Sequence, residues 1–306
     1  MHRARVRFAV SIAAVAAVSL TACGSLSGIG GPTPGGSPDT KRSILISVPA
    51  DAVYLIDPDS GRMAIVTQGL TDFQSGYGSW SPSHNSIAYG SAGVVIANAS
   101  VTRSRDLVRG QEIGMPTWSD NGREIAYANG EDIFVTSVAK AHPHRLPIPD
   151  TLAPFSLDWG PKNTIAFQGL QLSCVSGDCL STDENDIYVI QANGSGLRRL
   201  THYGTASNPK WAPDGKSILF VRAVRQKKHQ LSELWTINAN GGDARPLLSW
   251  PNIVAADWSS DGSRLAVVRV SGGAVSTLSV WVGNADGSGM HEVVDGIQGS
   301  DASVDW

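Results

Sequence analysis

The sequence is short of most features that mark a redox protein, a membrane-spanning chain or a hydrolase. Cysteine is scarce, three residues in 306, so no Cys-rich zinc cluster or disulfide-knotted framework can form. Charged residues are only 17% of the chain and sum to −3; without a basic excess there is no electrostatic footprint for a nucleic-acid partner. After residue 20 no apolar run approaches the roughly 20 residues needed to cross a ~30 Å hydrocarbon core. No stretch shows the 3.6-residue apolar spacing of an amphipathic helix. The G-x-S-x-G elbow of serine hydrolases is missing. The S-x-D-x-G-x-x-W box of sialidases is at most half present, in Ser259-Ser260-Asp261-Gly262, with no aromatic at the required place.

What is present begins with an address. Arg3, Arg5 and Arg7 precede an apolar run from Phe8 to Leu20, which ends at Leu20-Thr21-Ala22-Cys23. That ending resembles the bacterial lipobox. The resemblance implies that residues 1–22 are a lipoprotein signal peptide, cut so that Cys23 becomes the acylated first residue. An ordinary signal peptide with an incidental cysteine is the alternative. Several acyl chains would anchor durably, at about 0.8 kcal/mol per buried CH₂. Residues 23–42, rich in Gly, Pro and Ser, read as a tether; the 17 residues Gly24–Thr40 reach roughly 20–25 Å. The expectation is an exported chain, bound to the cell membrane through Cys23 and facing the extracytoplasmic side. Losing three arginines and no acid with residues 1–22 takes the net charge from −3 to −6. The remaining cysteines, Cys174 and Cys179, enclose four residues and are expected to form a local disulfide.

The nine tryptophans carry the main signal. WSPSHNSIAY starts at Trp80, WSDNGREIAY at Trp118, WGPKNTIAF at Trp159, WAPDGKSILF at Trp211 and WSSDGSRLAV at Trp258, and Trp306 ends the chain. The spacings of 38, 41, 52, 47 and 48 residues suit a repeat of four short strands. Each unit runs from the Trp strand through a turn such as Asp214-Gly215, to a β-branched and aromatic strand, to a third such as DIYVI (186–190), and through a second turn such as Asn193-Gly194 to a last strand. The unit resembles the TolB-like, WD-like repeat, typically W-S-P-D-G-x-x-I-A-F, then I-Y-V, then G, then L-T. The resemblance covers residues 43–306 and implies an all-β, six-bladed β-propeller, about 44 residues per blade. Residues 43–76 offer three strands without a Trp strand, and Ser303–Trp306 offers a Trp strand with nothing after it. Pairing of the two would close the ring and remove the open edges. Trp80, Trp118, Trp159, Trp211, Trp258 and Trp306 are then expected to pack between blades.

In such blades successive turns alternate between the two faces of the disc. One face should carry the short Asp-Gly and Asn-Gly turns. The other should carry the longer loops 168–185 and 223–232 and the blade connections 69–79 and 147–157. Recognition usually lives in loops on a rigid scaffold, so Phe73, Tyr77, Asp183, Glu184, Arg225, Lys227, Lys228 and His229 are candidate partner contacts. Tolerated surface insertions are the alternative. Asp158, Asp257 and Asp305 each precede a repeat Trp on what should be the innermost strand, where they could line the axis and hold a cation or a basic segment. Equally, each could accept backbone N–H bonds; the matching residues in the other blades are Ser79, Thr117 and Lys210. Asp183–Asp186 lacks the glycine and distal glutamate of an EF-hand loop, and His142 and His144 lack a third ligand, so neither is assigned a metal. No cofactor is expected, beyond a possible structural divalent cation at the axis. The resulting expectation is a monomeric, lipid-anchored envelope scaffold that captures a protein, peptide or glycan. The alternative is a metal-dependent propeller hydrolase or lyase acting on envelope sugars or lactones.

Overall fold

The computed structural model describes residues 39–49, 52–66, 77–90, 92–109, 114–175, 178–226, 229–271 and 275–306. These form six four-stranded antiparallel sheets arranged as a β-propeller. Given from the axis outward, blade 1 joins Ser303–Asp305 to Ile44–Val48, Ala52–Ile56 and Met63–Ile65. Blade 2 is Gly78–Trp80, Ser86–Gly90, Gly93–Asn98 and Ser104–Arg109; blade 3 is Gly114–Trp118, Glu124–Ala128, Ile133–Ser137 and His144–Arg145. Blade 4 is Leu152–Gly160, Thr164–Val175, Asp178–Gln191 and Arg198–Arg199. Blade 5 is Ala206–Trp211, Ser217–Gln226, His229–Asn238 and Arg245–Trp250; blade 6 is Ile253–Trp258, Arg264–Ser271, Thr277–Asn284 and His291–Gln298. In blade 1 the register is Leu45↔Asp305, Ile46↔Val304 and Ser47↔Ser303. Trp306 lies one residue past that strand, and its indole N–H donates to the Arg42 carbonyl at 3.0 Å.

The core is divided among the six blade junctions, because each strand points alternate side chains at opposite neighbours. Ile44 and Ile46 pack on Ala266, Val268, Val280 and Val282 of blade 6, while Leu45 between them joins Trp80, Ile87 and Tyr89 of blade 2. Each repeat Trp fills one junction against the preceding blade: Trp118 among Ala88, Val94 and Ile96, Trp159 among Ala126, Ile133 and Val135, Trp258 among Leu219, Val221 and Leu234. Trp211 lies so close over Gly160 that a Cβ there would stand 2.2 Å from the indole ring. The buried indole N–H groups of Trp80, Trp159, Trp211 and Trp258 have no acceptor, so these rings contribute packing rather than hydrogen bonds.

The short turn after the Trp strand recurs with the same backbone bond in blades 2, 3, 5 and 6, while blade 4 has a 3-10 turn at Pro161–Asn163 instead. Ser81, Ser119, Ala212 and Ser259 donate backbone N–H to residues 86, 124, 217 and 264 at 2.8–2.9 Å. Gly122, Gly215 and Gly262 take φ of +66 to +70°, the left-handed conformation that glycine adopts without a Cβ clash. The opposite face is asymmetric. In blades 1–3 the second and third strands are five or six residues long, whereas in blade 4 they are 12 and 14, in blade 5 both 10, and in blade 6 both 8. The segments read from sequence as loops 168–185 and 223–232 are therefore prolonged strand pairs. Their alternating Leu, Val and Ser residues continue the ladder instead of leaving it, and blade 6 is prolonged in the same way. Leu152–Leu157, read as part of a connection, already belongs to the innermost strand of blade 4. Half of the ring thus carries a raised crown.

Candidate functional site

The innermost strands bring their residues to a common axis, around a cavity of about 30 Å³. That is room for about one or two waters. In blades 3 to 6 these strands are bulged at matching positions, between Gly114 and Thr117, Phe155 and Leu157, Ser207 and Lys210, and Ile253 and Ala255. The bulges turn side chains toward the axis. Ser156 (φ 45°) and Asn208 (φ 51°) are held in left-handed conformations there, which non-glycine residues adopt only when their surroundings hold them. The Ser156 hydroxyl donates to Asn208 Oδ1 at 2.8 Å, and Asn208 Nδ2 donates to the Val254 carbonyl at 2.7 Å. This chain of bonds stitches blades 4, 5 and 6 across the cavity wall. On its other side the Tyr77 hydroxyl donates to the Asp301 carboxylate.

Below these groups the structure brings Asp158, Asp257 and Asp305 together, and the residue that gathers them is Lys210. Its Nζ lies 2.9 Å from Asp305 Oδ1, 3.0 Å from Asp257 Oδ2 and 3.9 Å from Asp158 Oδ1. All four side chains are between 11 and 18% exposed. The carboxylates also serve the backbone. Asp305 accepts the Trp80 N–H at 2.6 Å, Asp158 accepts that of Trp211 at 2.7 Å, and Thr117 accepts that of Trp159 at 3.0 Å, each across a blade junction. Lys210 occupies the matching position in blade 5 but has no acceptor to offer. The Trp258 N–H is met instead by Asp257, 2.7 Å away.

Three carboxylates share one ammonium, so the cluster has surplus negative charge in a poorly hydrated place. Burial raises Asp257 to about 7 and Asp158 to about 6, against the opposing pull of Lys210. Burial would lower Lys210, but its three carboxylates outweigh that and hold it well above its ordinary value. The sequence marked the three acids and placed Lys210 in the same ring, without linking them. Only the inward turn of the bulged strands makes them meet. A positive charge among these acids is thus supplied by the protein itself, as the Lys210 ammonium, and the backbone N–H bonds that the sequence reading weighed for them are present as well.

The other candidates fall elsewhere. Asp186 is fully buried and accepts from Arg199 Nη2 at 2.5 Å, Thr201 Oγ1 at 2.5 Å and the N–H groups of Tyr203 and Gly204 at 2.8 and 3.1 Å. It is an ion pair and turn anchor; the same arrangement recurs in blade 3 as Asp132 with Arg145. Asp183 and Glu184 are exposed on the blade 4 hairpin. Among the described residues no group of three His, Cys, Asp or Glu is placed to hold a metal. Cys174 and Cys179 stand opposite each other near the end of that hairpin and form a disulfide. Cys23, Phe73, Lys227 and Lys228 lie outside the described residues, as do the side chains of Arg225 and His229.

The chain has a definite polarity. Residues 39–43, which lead into the Ile44–Val48 strand of blade 1, are fixed to the short-turn face. His84 Nδ1 lies 3.1 Å from the Thr40 carbonyl, and Arg42 pairs with Asp59 at 2.9 Å. The crown rises from the opposite face.

No family profile matches the sequence, and no curated protein does. Solved structures do. A protein assigned as a TolB from Agrobacterium tumefaciens superposes with a TM-score of 0.61 at 16% identity, covering 85% of this chain and 92% of that one. An oligogalacturonate lyase in complex with manganese gives 0.53 at 14%, covering 78 and 69%. A calcium-binding regucalcin from A. tumefaciens gives 0.51 at 10%, covering 72 and 73%. At these identities the likeness shows a shared TolB-like propeller fold.

Proposed function

We propose that this protein is a lipid-anchored envelope scaffold that binds a partner on the crowned face of its propeller and performs no chemistry at its axis. The observation that carries the reading is the polarity of the disc. The tether joins the short-turn face through Thr40 and Arg42, so a chain held at Cys23 turns its raised hairpins away from the bilayer. A rigid six-bladed ring with one elaborated face is suited to presenting binding loops. The axial groups support the same reading, since the three carboxylates that could serve a cation or substrate are engaged by Lys210 and by Trp N–H groups.

Replacing residues 225–229 by a short Gly-Ser turn should abolish partner capture in native membranes while leaving the thermal unfolding temperature within a few degrees. Unchanged capture would remove this face from the proposal. Metal analysis of the purified chain, with lyase and lactonase assays, tests the enzymatic alternative. A tightly held divalent ion together with turnover that falls when Asp257 is replaced by Asn would replace the scaffold reading.

A further inference from the structure

The short-turn face is divided in charge. In blades 2 to 4 its turns, residues 81–85, 99–103, 119–123, 138–143, 161–163 and 192–197, carry Arg103, Arg123, Lys140 and Lys162 against one acid, Asp120. In blades 5 and 6 the matching turns, 212–216, 239–244, 259–263 and 285–290, carry Asp214, Asp243, Asp261 and Asp286. Their one cation, Lys216, is itself paired with Asp214 at 3.4 Å. The four cations of blades 2 to 4 are all exposed, and none has an ion pair or a side-chain hydrogen bond among the described residues. On the outermost strands of the same sector Arg105 and Arg198 are exposed as well. They are held by the Val138 carbonyl at 2.7 Å and by the Ala239 and Asn240 carbonyls at 2.8 Å, not by carboxylates.

Turn chemistry does not account for the division. Each turn needs an acceptor for the backbone N–H two residues on, and that acceptor need not be charged. Asp214 and Asp261 accept from the N–H groups of Lys216 and Ser263 at 2.9 Å, and Asn121 in blade 3 accepts from that of Arg123 at the same distance. In the second turn Asp286 of blade 6 accepts from Ser288 at 2.9 Å, and Asn193 of blade 4 accepts from Ser195 likewise. Blades 3 and 4 thus keep the bond and drop the negative charge. In the first turn of blade 4 the residue at that position is Lys162, held at φ 58° and ψ 30°. A lysine takes this left-handed conformation only against a local steric cost.

We infer that the short-turn face of blades 2 to 4 rests on anionic phospholipid headgroups, so that the disc sits with this sector against the bilayer instead of swinging freely from its anchor. The inference rests on the scaffold reading of a chain acylated at Cys23, and it gives that chain a fixed orientation. Two observations select a membrane over another polyanion. Residues 39–43 leave from this same face and meet the positive sector at its blade 2 edge, where the Thr40 carbonyl lies 3.1 Å from His84 Nδ1. The cations also stand on separate turns spread over three blades, which suits a flat array of headgroups. Their attraction acts within a Debye length, ~10 Å at 0.1 M salt, so the acidic turns of blades 5 and 6 are tilted away from the surface.

The test reconstitutes the full-length acylated chain in phosphatidylcholine vesicles, with or without about 30 mol% phosphatidylglycerol, doped with a nickel-chelating lipid. A nitroxide is attached at Ala141→Cys in the positive sector, at Ser260→Cys on the blade 6 turn or at Val275→Cys on the crown, and its collisions with headgroup nickel are measured. With phosphatidylglycerol at ~50 mM NaCl the rate at position 141 should exceed those at 260 and 275 by about threefold or more. The excess over position 260 should vanish in phosphatidylcholine alone, at ~300 mM NaCl, and in Arg123→Glu/Lys140→Glu/Lys162→Glu. If that variant unfolds early, Lys140→Glu alone, which has no side-chain bond to lose among the described residues, should still lower the excess. A position 141 no closer than 260, or an excess that survives charge reversal or neutral lipid, would overturn the inference. The scaffold reading would then stand, provided mass spectrometry finds acyl chains on Cys23. A bare Cys23 would remove the anchored reading and the inference together, and a highest rate at position 275 would overturn the polarity of the disc as well.

Discussion

Lys210→Met should be among the most destabilising single substitutions at the axis, and its effect should depend on pH in a particular way. The ammonium is within 3.0 Å of Asp257 and Asp305 and 3.9 Å of Asp158, all four side chains being mostly buried. Methionine fills similar volume, so the loss is electrostatic: three carboxylates remain with no counter-charge. Removing one partner from a buried ion network costs about 3–5 kcal/mol. For a domain of this size that corresponds to a Tm lower by roughly 6–15 °C. Protonation offers relief. Asp257 and Asp158 already bind protons more tightly in the folded chain, at about 7 and about 6, than an unfolded Asp does. Between pH ~4 and ~7 the folded state therefore carries the extra protons, and stability falls as pH rises, by up to about 1.4 kcal/mol per pH unit for each group. Without Lys210 both values climb further, so the variant should lose least near pH 5 and most above pH 7.5. Adding Asp257→Asn and Asp305→Asn, which keep an acceptor for the Trp N–H groups, should restore much of the loss. Urea unfolding at pH 5, 6.5 and 8 measures all of this. A Lys210→Met protein within 1 kcal/mol of the parent at pH 8, with the same pH dependence, would refute the electrostatic account.

The unsubstituted protein should itself unfold at lower urea at pH 7.5 than at pH 5. Asp261, held at about 2 by the Ser259 and Ser263 hydroxyls and the Ser263 N–H, contributes with the opposite sign and only as pH falls below ~4, so the optimum should lie near pH 4–5. Asp186→Ala leaves Arg199 and two backbone N–H groups without their acceptor and should cost about 3–5 kcal/mol in equilibrium unfolding. Gly160→Ala drives a methyl group into the Trp211 ring and should cost about 1–3 kcal/mol, recoverable in part by Trp211→Leu. Cys174→Ser/Cys179→Ser opens a loop with a sequence separation of only five and should lower stability by no more than about 2 kcal/mol, while increasing proteolysis at the blade 4 hairpin.

The propeller was legible because its determinants are local and repeated. Five copies of the Trp strand and its short turn each specify a hairpin through side-chain alternation, three of them with a left-handed glycine in the turn, and repetition turns a weak signal into a strong one. The short-turn face could be assigned for the same reason. The prolonged hairpins were harder to read. Gln168–Asn185 departs from the repeat consensus, and departure looks like a loop until the paired register of Leu170 with Asn185 and of Cys174 with Cys179 shows strands. Blade 6 gave no sign, since its extension reads as ordinary repeat sequence.

The axial cluster marks the boundary between the two kinds of information. Sequence determined that Asp158, Lys210, Asp257 and Asp305 occupy one position of the repeat, because the count back from each Trp is fixed by the chain. It could not decide whether they share one salt-bridged hub or remain apart, each bonded within its own junction. That outcome depends on the radius of the closed ring and on bulges such as the one at Asn208, and both are set by how six sheets pack against one another. Charges from four blades separated by as many as 147 residues come within 4 Å only when every junction has closed, and distance across a ring is a property no segment of the chain carries alone.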